Sequence, residues 1–201
     1  YQQAMAALPT SAMFPDNLGT VYARLAQYEQ AIPWFEKGVQ VEPTYLAARL
    51  HLSKALLLVG RDAEAWQTLA ETPKNQQGIR DVIQQKAWIR ALAEEPEVRL
   101  PKEALSLLEP LAKRDPKFHD PLLRDALALA YAADGRYTDA LPLARAAVEF
   151  FTQTRQSDLR QLAQKRLARY ETDQPWTIAL EREHLQSSRR VIKSLPASEL
   201  P

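Results

Sequence analysis

An all-α fold built as an array of helical hairpins is predicted by three features of this chain. The first is a repeat. Tyr1, Ala4 and Pro9 set out an aromatic, a small residue and a proline, and Phe35, Gly38 and Pro43 set them out again thirty-four residues later. Self-similarity at such a period marks stacked supersecondary units that bury a continuous core between neighbours. The second is composition: hydrophobic residues make up 46% of the 201, only five residues are glycine, and Ala, Leu, Gln, Arg and Glu dominate without β-branched runs. Such a mixture favours helix throughout. The third is punctuation. Gly60 and Gly135 each follow an apolar helical run, where a chain leaves a helix in the left-handed conformation that costs glycine least. Pro9, Pro43 and Pro116 stand where second helices should stop, because proline lacks the amide donor and clashes with the preceding turn.

Taken in order, residues 1–11 read as the end of a preceding unit, so the chain is expected to be a window from a longer array. Residues 12–45 form the clearest full unit, with Leu18-Gly19, Tyr22, Ala31, Phe35, Gly38 and Pro43. Residues 46–79 keep Leu52, Ser53, Gly60-Arg61-Asp62-Ala63-Glu64-Ala65 and Leu69, and residues 121–154 keep Leu127-Ala128, Tyr131, Gly135-Arg136-Tyr137-Thr138-Asp139-Ala140, Ala144 and Ala147. Between them, residues 85–118 are a degenerate copy, marked by Trp88, Ala91-Leu92, Ala104, Leu108, Leu111 and Pro116. This set resembles the tetratricopeptide repeat (TPR) family, whose signature is a spaced leucine-glycine, tyrosine, alanine, phenylalanine and proline. The resemblance implies a right-handed α-solenoid of TPR helix-turn-helix repeats. Small residues at Gly19, Ala31, Ser53, Ala65, Ala128 and Ala140 let paired helices approach, and Tyr22, Phe35 and Tyr131 fill the space beside them.

Two irregularities interrupt the array. Pro73 and Gly78 bracket an insertion that stretches the spacing to the degenerate unit to thirty-nine residues, and the helix after it, about 79–95, is expected to be longer than its counterparts. Glu94 to Pro101 then replaces the glycine turn. After the fourth unit, residues 157–171 read as a capping helix, with Leu159, Leu162, Ala163, Leu167 and Tyr170 on one face and Arg160, Gln164, Lys165 and Arg169 on the other. A polar outer face is what a solenoid needs to end in water. Residues 1–176 are thus read as one array and 177–201 as an amphipathic tail. The order Leu162, Leu167, Tyr170, Pro175-Trp176 resembles the ending of many bacterial TPR modules, which points to a bacterial source.

Several function classes are disfavoured. The formal net charge is +1, from 26 basic and 25 acidic residues, which gives no general field for nucleic acid. The basic excess between Arg155 and Lys193 lacks the interleaved aromatics of a single-strand binder. With no cysteine, disulfides and thiol catalysis are excluded and a zinc site is not expected. His51, His119 and His184 are scattered, and no HExxH, phosphate loop or GxSxG occurs. Neither catalysis, cofactor nor metal is expected. No stretch reaches the roughly 18 apolar residues of a membrane span, although a membrane-associated complex stays open. Cytoplasm and periplasm both fit, and a targeting signal would lie upstream of Tyr1.

Binding remains. In TPR arrays the first helices of successive units line a groove, and the helical period selects the side chains that face it. These are Asp16, Thr20 and Arg24 in the first unit and Leu50, Lys54, Leu57 and Leu58 in the second. The degenerate unit offers Lys86, Ile89 and Ala93, and the last unit Asp125, Leu129 and Ala133. Asp16 and Thr20 stand where the lysine-asparagine clamp of a terminal carboxylate would be wanted, so an extended or helical partner segment with apolar anchors fits better. The leucines either anchor that partner or pack against neighbouring helices. The tail carries Ile178, Leu185 and Ile192 every seven residues; it either packs back on the array or reaches a partner as an amphipathic helix. The reading is a protein-interaction scaffold that binds a peptide or helix of another subunit. The alternative is a regulatory or substrate-presenting module of a larger enzyme, such as a membrane glycosyltransferase.

Overall fold

The computed structural model describes residues 11–114 and 120–194, the side chains of 188–194 excepted. The expectations on Tyr1, Ala4, Pro9, Pro116, His119, the Ile192 side chain and the last residues, 195–201, lie outside the described residues. Within them are ten helices and no strand. The chain divides into two compact units, one of residues up to Gly78 together with those from Arg182 onward, the other Ile79–Glu181. The division falls at the insertion after Thr72.

In the first unit, α1 (Met13–Arg24) pairs with α2 (Tyr28–Val41) and α3 (Leu46–Leu58) with α4 (Asp62–Ala70). First helices lie beside each other, α1 against α3, and α2 packs on α3. The repeat positions explain how. Ala31, Phe35 and Gly38 of α2 are buried, as are Ala65, Leu69 and Thr72 thirty-four residues later. A Cβ on Gly19 would stand 2.5 Å from Phe35 Cε1, so the ring of Phe35 lies directly on the α1 backbone. Buried Arg49 ties the hairpin of α3 and α4 together by donating to the carbonyls of Thr68 (3.0 Å) and Pro43 (3.2 Å).

The second unit holds α5 (Arg80–Leu92), α6 (Pro101–Arg114), α7 (Pro121–Ala133), α8 (Tyr137–Gln153) and α9 (Ser157–Tyr170). Here too first helices adjoin, α5 against α7, and Leu92, Ala104, Leu108 and Leu111 keep the repeat phase as Ala128, Ala140, Ala144 and Ala147 do. The degenerate unit is therefore a true hairpin. Its first helix is not longer than its counterparts: α5 has 13 residues, as do α3 and α7. Ala93 already leaves helical geometry at ψ 144°, because Pro96 admits no helical donor and disfavours α conformation before it. Arg90 holds the loop that follows, donating to the Val98 carbonyl at 2.9 Å and pairing with Glu103 at 3.1 Å, while the Leu100 amide returns to the Arg90 carbonyl at 2.8 Å. Asp120 caps α7 by accepting from the amides of Leu122 and Leu123, with Pro121 at the first helical position, and it also meets Arg80 at 2.6 Å. The helix read as a cap, α9, packs on α8 through Ala163, which joins Ala147 and Phe151 in one apolar cluster.

Left-handed turns recur between paired helices. Gly60 (φ +83°) and Gly135 (φ +77°) take them as expected, and their amides close onto the carbonyls of Leu57 and Ala132. Ala26 (φ +52°) and Arg155 (φ +55°) do the same without glycine.

The last helix, α10 (Ile178–Ser194), begins in the second unit and belongs to the first from Arg182 onward.

Candidate functional site

The first unit contains a cavity of 220 Å³ between α1, α2, α3 and α10. Thr20, Ala23 and Arg24 of α1 reach it with the i, i+3, i+4 spacing of one helix face, and His51, Lys54, Ala55 and Leu58 of α3 extend that spacing to i+7. Tyr28 and Phe35 close one side, and Leu185 of α10 closes another. The floor is apolar. Arg24 and Lys54 are the cationic side chains among its lining. Behind the floor, buried Asp16 meets His51 Nδ1 at 2.7 Å, and the His51 ring lies 5.3 Å from Phe35.

Sequence-predicted residues are thus divided. Thr20, Arg24 and Lys54 come together with Leu185 in one pocket. Leu50 is half-buried and lies off that lining. Leu57 and Leu129 need correction, since they are 0% and 2% exposed and present no surface. The helical period explains the slip: Leu57 follows Ser53 by one turn, and Ser53 is the small position buried against the rest of the unit, so Leu57 shares the core face. His51 and Ala55 were missed, although their spacing from Lys54 and Leu58 was readable. Arg182 was missed too. Its Nε donates to the Leu58 carbonyl at 2.6 Å and its Nη2 to the Leu57 carbonyl at 3.2 Å, beside Gly60. The Leu58 carbonyl belongs to the last turn of α3, which leaves acceptors unsatisfied and carries the negative end of the helix dipole. No local pattern links residues 124 positions apart.

The candidates of the second unit have other surroundings. Lys86 is half-buried, and burial holds its ammonium below the ordinary lysine value. Asp125 is bound by Arg166 of α9, whose guanidinium also donates to Glu181 at 2.9 Å. Trp176 Nε1 donates to the same Glu181 Oε2 at 2.7 Å. Burial raises the Asp125 pKa against the pull of Arg166. For Arg166, burial opposes the charge, and Asp125 and Glu181 outweigh it, so the guanidinium is held above its ordinary value. Ile178, a tail candidate, is buried in this unit at 1% exposure. A more open hollow of 510 Å³ lies among α6, α7 and α8, flanked by Tyr131, whose hydroxyl donates to Glu109 at 3.1 Å. Among the described residues no cluster of acidic, histidine or cysteine side chains is placed to hold a metal, and no helix is long and apolar enough to cross a membrane.

Two family models described as tetratricopeptide repeat match the chain, one over residues 22–87 and one over residues 123–154. No curated protein matches it. Among solved structures, the chain is similar to a single-substitution variant of a Podosopora anserina protein assigned as a kinesin light chain, with nearly identical TPR-like repeats. The identity is 21%, the TM-score 0.57, and the match covers 92% of this chain and 96% of that one. Another structure of that protein, at 22% identity and the same coverage, has a TM-score of 0.49.

Proposed function

Because the chain belongs to the tetratricopeptide repeat family, whose repeats are protein-interaction modules, we propose that it is a scaffold whose first unit binds a helical segment of a partner protein. The observation that carries this reading is the pocket where Thr20, Arg24 and Lys54 surround an apolar floor of Ala23, Phe35, Ala55 and Leu58. With α10 in place Phe35, Ala55 and Leu58 are 1%, 2% and 3% exposed, so a partner helix buries its apolar face here by taking the place of α10 beside them. Basic side chains at the edge favour carboxylates on the partner and speed encounter more than they add affinity. This reading calls for no catalysis by the chain itself.

The test is a selection of displayed helical peptides on the full chain. Selected peptides should carry apolar residues at helical spacing flanked by Asp or Glu. Arg24→Glu and Lys54→Glu should slow their association, and Ala23→Trp, which fills the pocket, should abolish binding. Peptides indifferent to all three substitutions would place binding elsewhere.

A further inference from the structure

We propose that α10 from Arg182 onward is a built-in ligand of the first unit's pocket, and that a partner helix carrying arginine and, three residues later, a bulky apolar side chain displaces it. The proposal rests on the scaffold reading and adds what holds the site and what chemistry opens it. Two contacts define the occupant. Arg182 donates to the carbonyls of Leu57 and Leu58 at the end of α3, and one helical turn later Leu185 closes one side of the pocket that Thr20, Arg24, Phe35 and Lys54 also line. An arginine on helix-end carbonyls, that of Leu58 and that of Leu57 which also accepts from the Gly60 amide, fixes register and direction, while a leucine at i+3 on the same helix face reaches the apolar pocket.

The fit is incomplete. The pocket keeps 220 Å³ of open volume with Leu185 as one of its ten lining side chains, and an unfilled apolar space forfeits the contacts its lining would otherwise make. A tethered ligand tolerates such a fit because its attachment supplies a high effective concentration. A free partner has no tether, so it must gain from better filling, which selects phenylalanine, methionine or tryptophan where this chain has Leu185. Leucine here keeps the internal helix seated yet exchangeable.

The experiment uses the full chain and a fluorescein-labelled peptide of residues 178–194 as probe, read by anisotropy. Arg182→Glu combined with Leu185→Asp should unseat α10 and tighten probe binding by about tenfold or more, as expected when an intramolecular competitor is removed. Leu185→Phe should fill the cavity and bind the probe more weakly than the unsubstituted chain. Should the double variant lose helical content, Leu185→Ala takes its place in the ranking. Equal affinities, or any other order, overturn the proposal. Its failure is distinct from failure of the scaffold reading. Peptides selected through Arg24 and Lys54 that bind all α10 variants equally would leave the scaffold and remove the built-in ligand.

Discussion

Arg166 is a guanidinium with 5% exposure, held between the carboxylates of Asp125 and Glu181, and its Nη2 shares the Glu181 oxygen with Trp176. Removing the cation leaves two carboxylates facing each other out of water. Arg166→Met should therefore cost about 3–5 kcal/mol, the usual consequence of breaking a buried pair on one side, read from the denaturant midpoint. An unchanged midpoint would mean that water reaches the cluster. Tyr170 nearby gives a pH signature. Its hydroxyl is buried without a hydrogen-bond partner among the described residues, and burial holds its pKa well above 10.0. A raised folded pKa means that the stability is intact below the unfolded value and is lost as pH rises beyond about 10. Tyr170→Phe should be nearly neutral at pH 7 and should remove about 1.4 kcal/mol of alkaline loss per pH unit above 10. Tyr45, Tyr131 and Tyr137 shift the same way, so part of the alkaline loss should persist. The small and aromatic repeat positions were legible in the sequence, because packing forces the same residue types to recur at one period. The Arg166 cluster was not: Arg166 was named on neither face of α9, and its partners Asp125 and Glu181 stand 41 and 15 residues away.

At the scale of elements, helix ends set the repeat. Gly60 closes α3 with the double bond pattern of a left-handed stop: its amide meets the Leu57 carbonyl, and the Arg61 amide meets that of Leu56. Ala26 closes α1 by the same pattern at φ +52°. A Cβ in this conformation costs roughly 1–2 kcal/mol. Gly60→Ala should therefore destabilise by about that amount, and Ala26→Gly should stabilise by up to about 1 kcal/mol after the added freedom of the unfolded chain is counted. Thermal midpoints that move in the same direction for both would contradict the assigned turns. Gly60 and Gly135 marked their turns in the sequence. Ala26 and Arg155 did not, because the surrounding helices impose φ there rather than the residue itself. The missing glycine turn after α5 had a legible cause in Pro96. The device that replaces it, Arg90 reaching the Val98 carbonyl, depends on a side-chain path that periodicity does not encode.

For the molecule as a whole, the repeat phase foretold the helical array and its family, while the proposed site was legible only in halves. The face of the first helices named Thr20, Arg24 and Lys54, the seven-residue stripe of the tail named Leu185, and these four side chains line one pocket. Their meeting in one pocket depends on Arg182 contacting α3 across 124 residues, which is tertiary information. The chain has no cysteine, so one pair of spin labels can test this meeting without background. Lys37 of α2 and Gln186 of α10 are exposed positions within the first unit, suited to Lys37→Cys and Gln186→Cys labelling and a pulsed dipolar distance measurement. A helix seated on its own repeats gives a single narrow distance distribution that broadens when Arg182→Glu and Leu185→Asp are added. A broad distribution in the otherwise unsubstituted chain, or one that the two substitutions leave unchanged, would contradict the account.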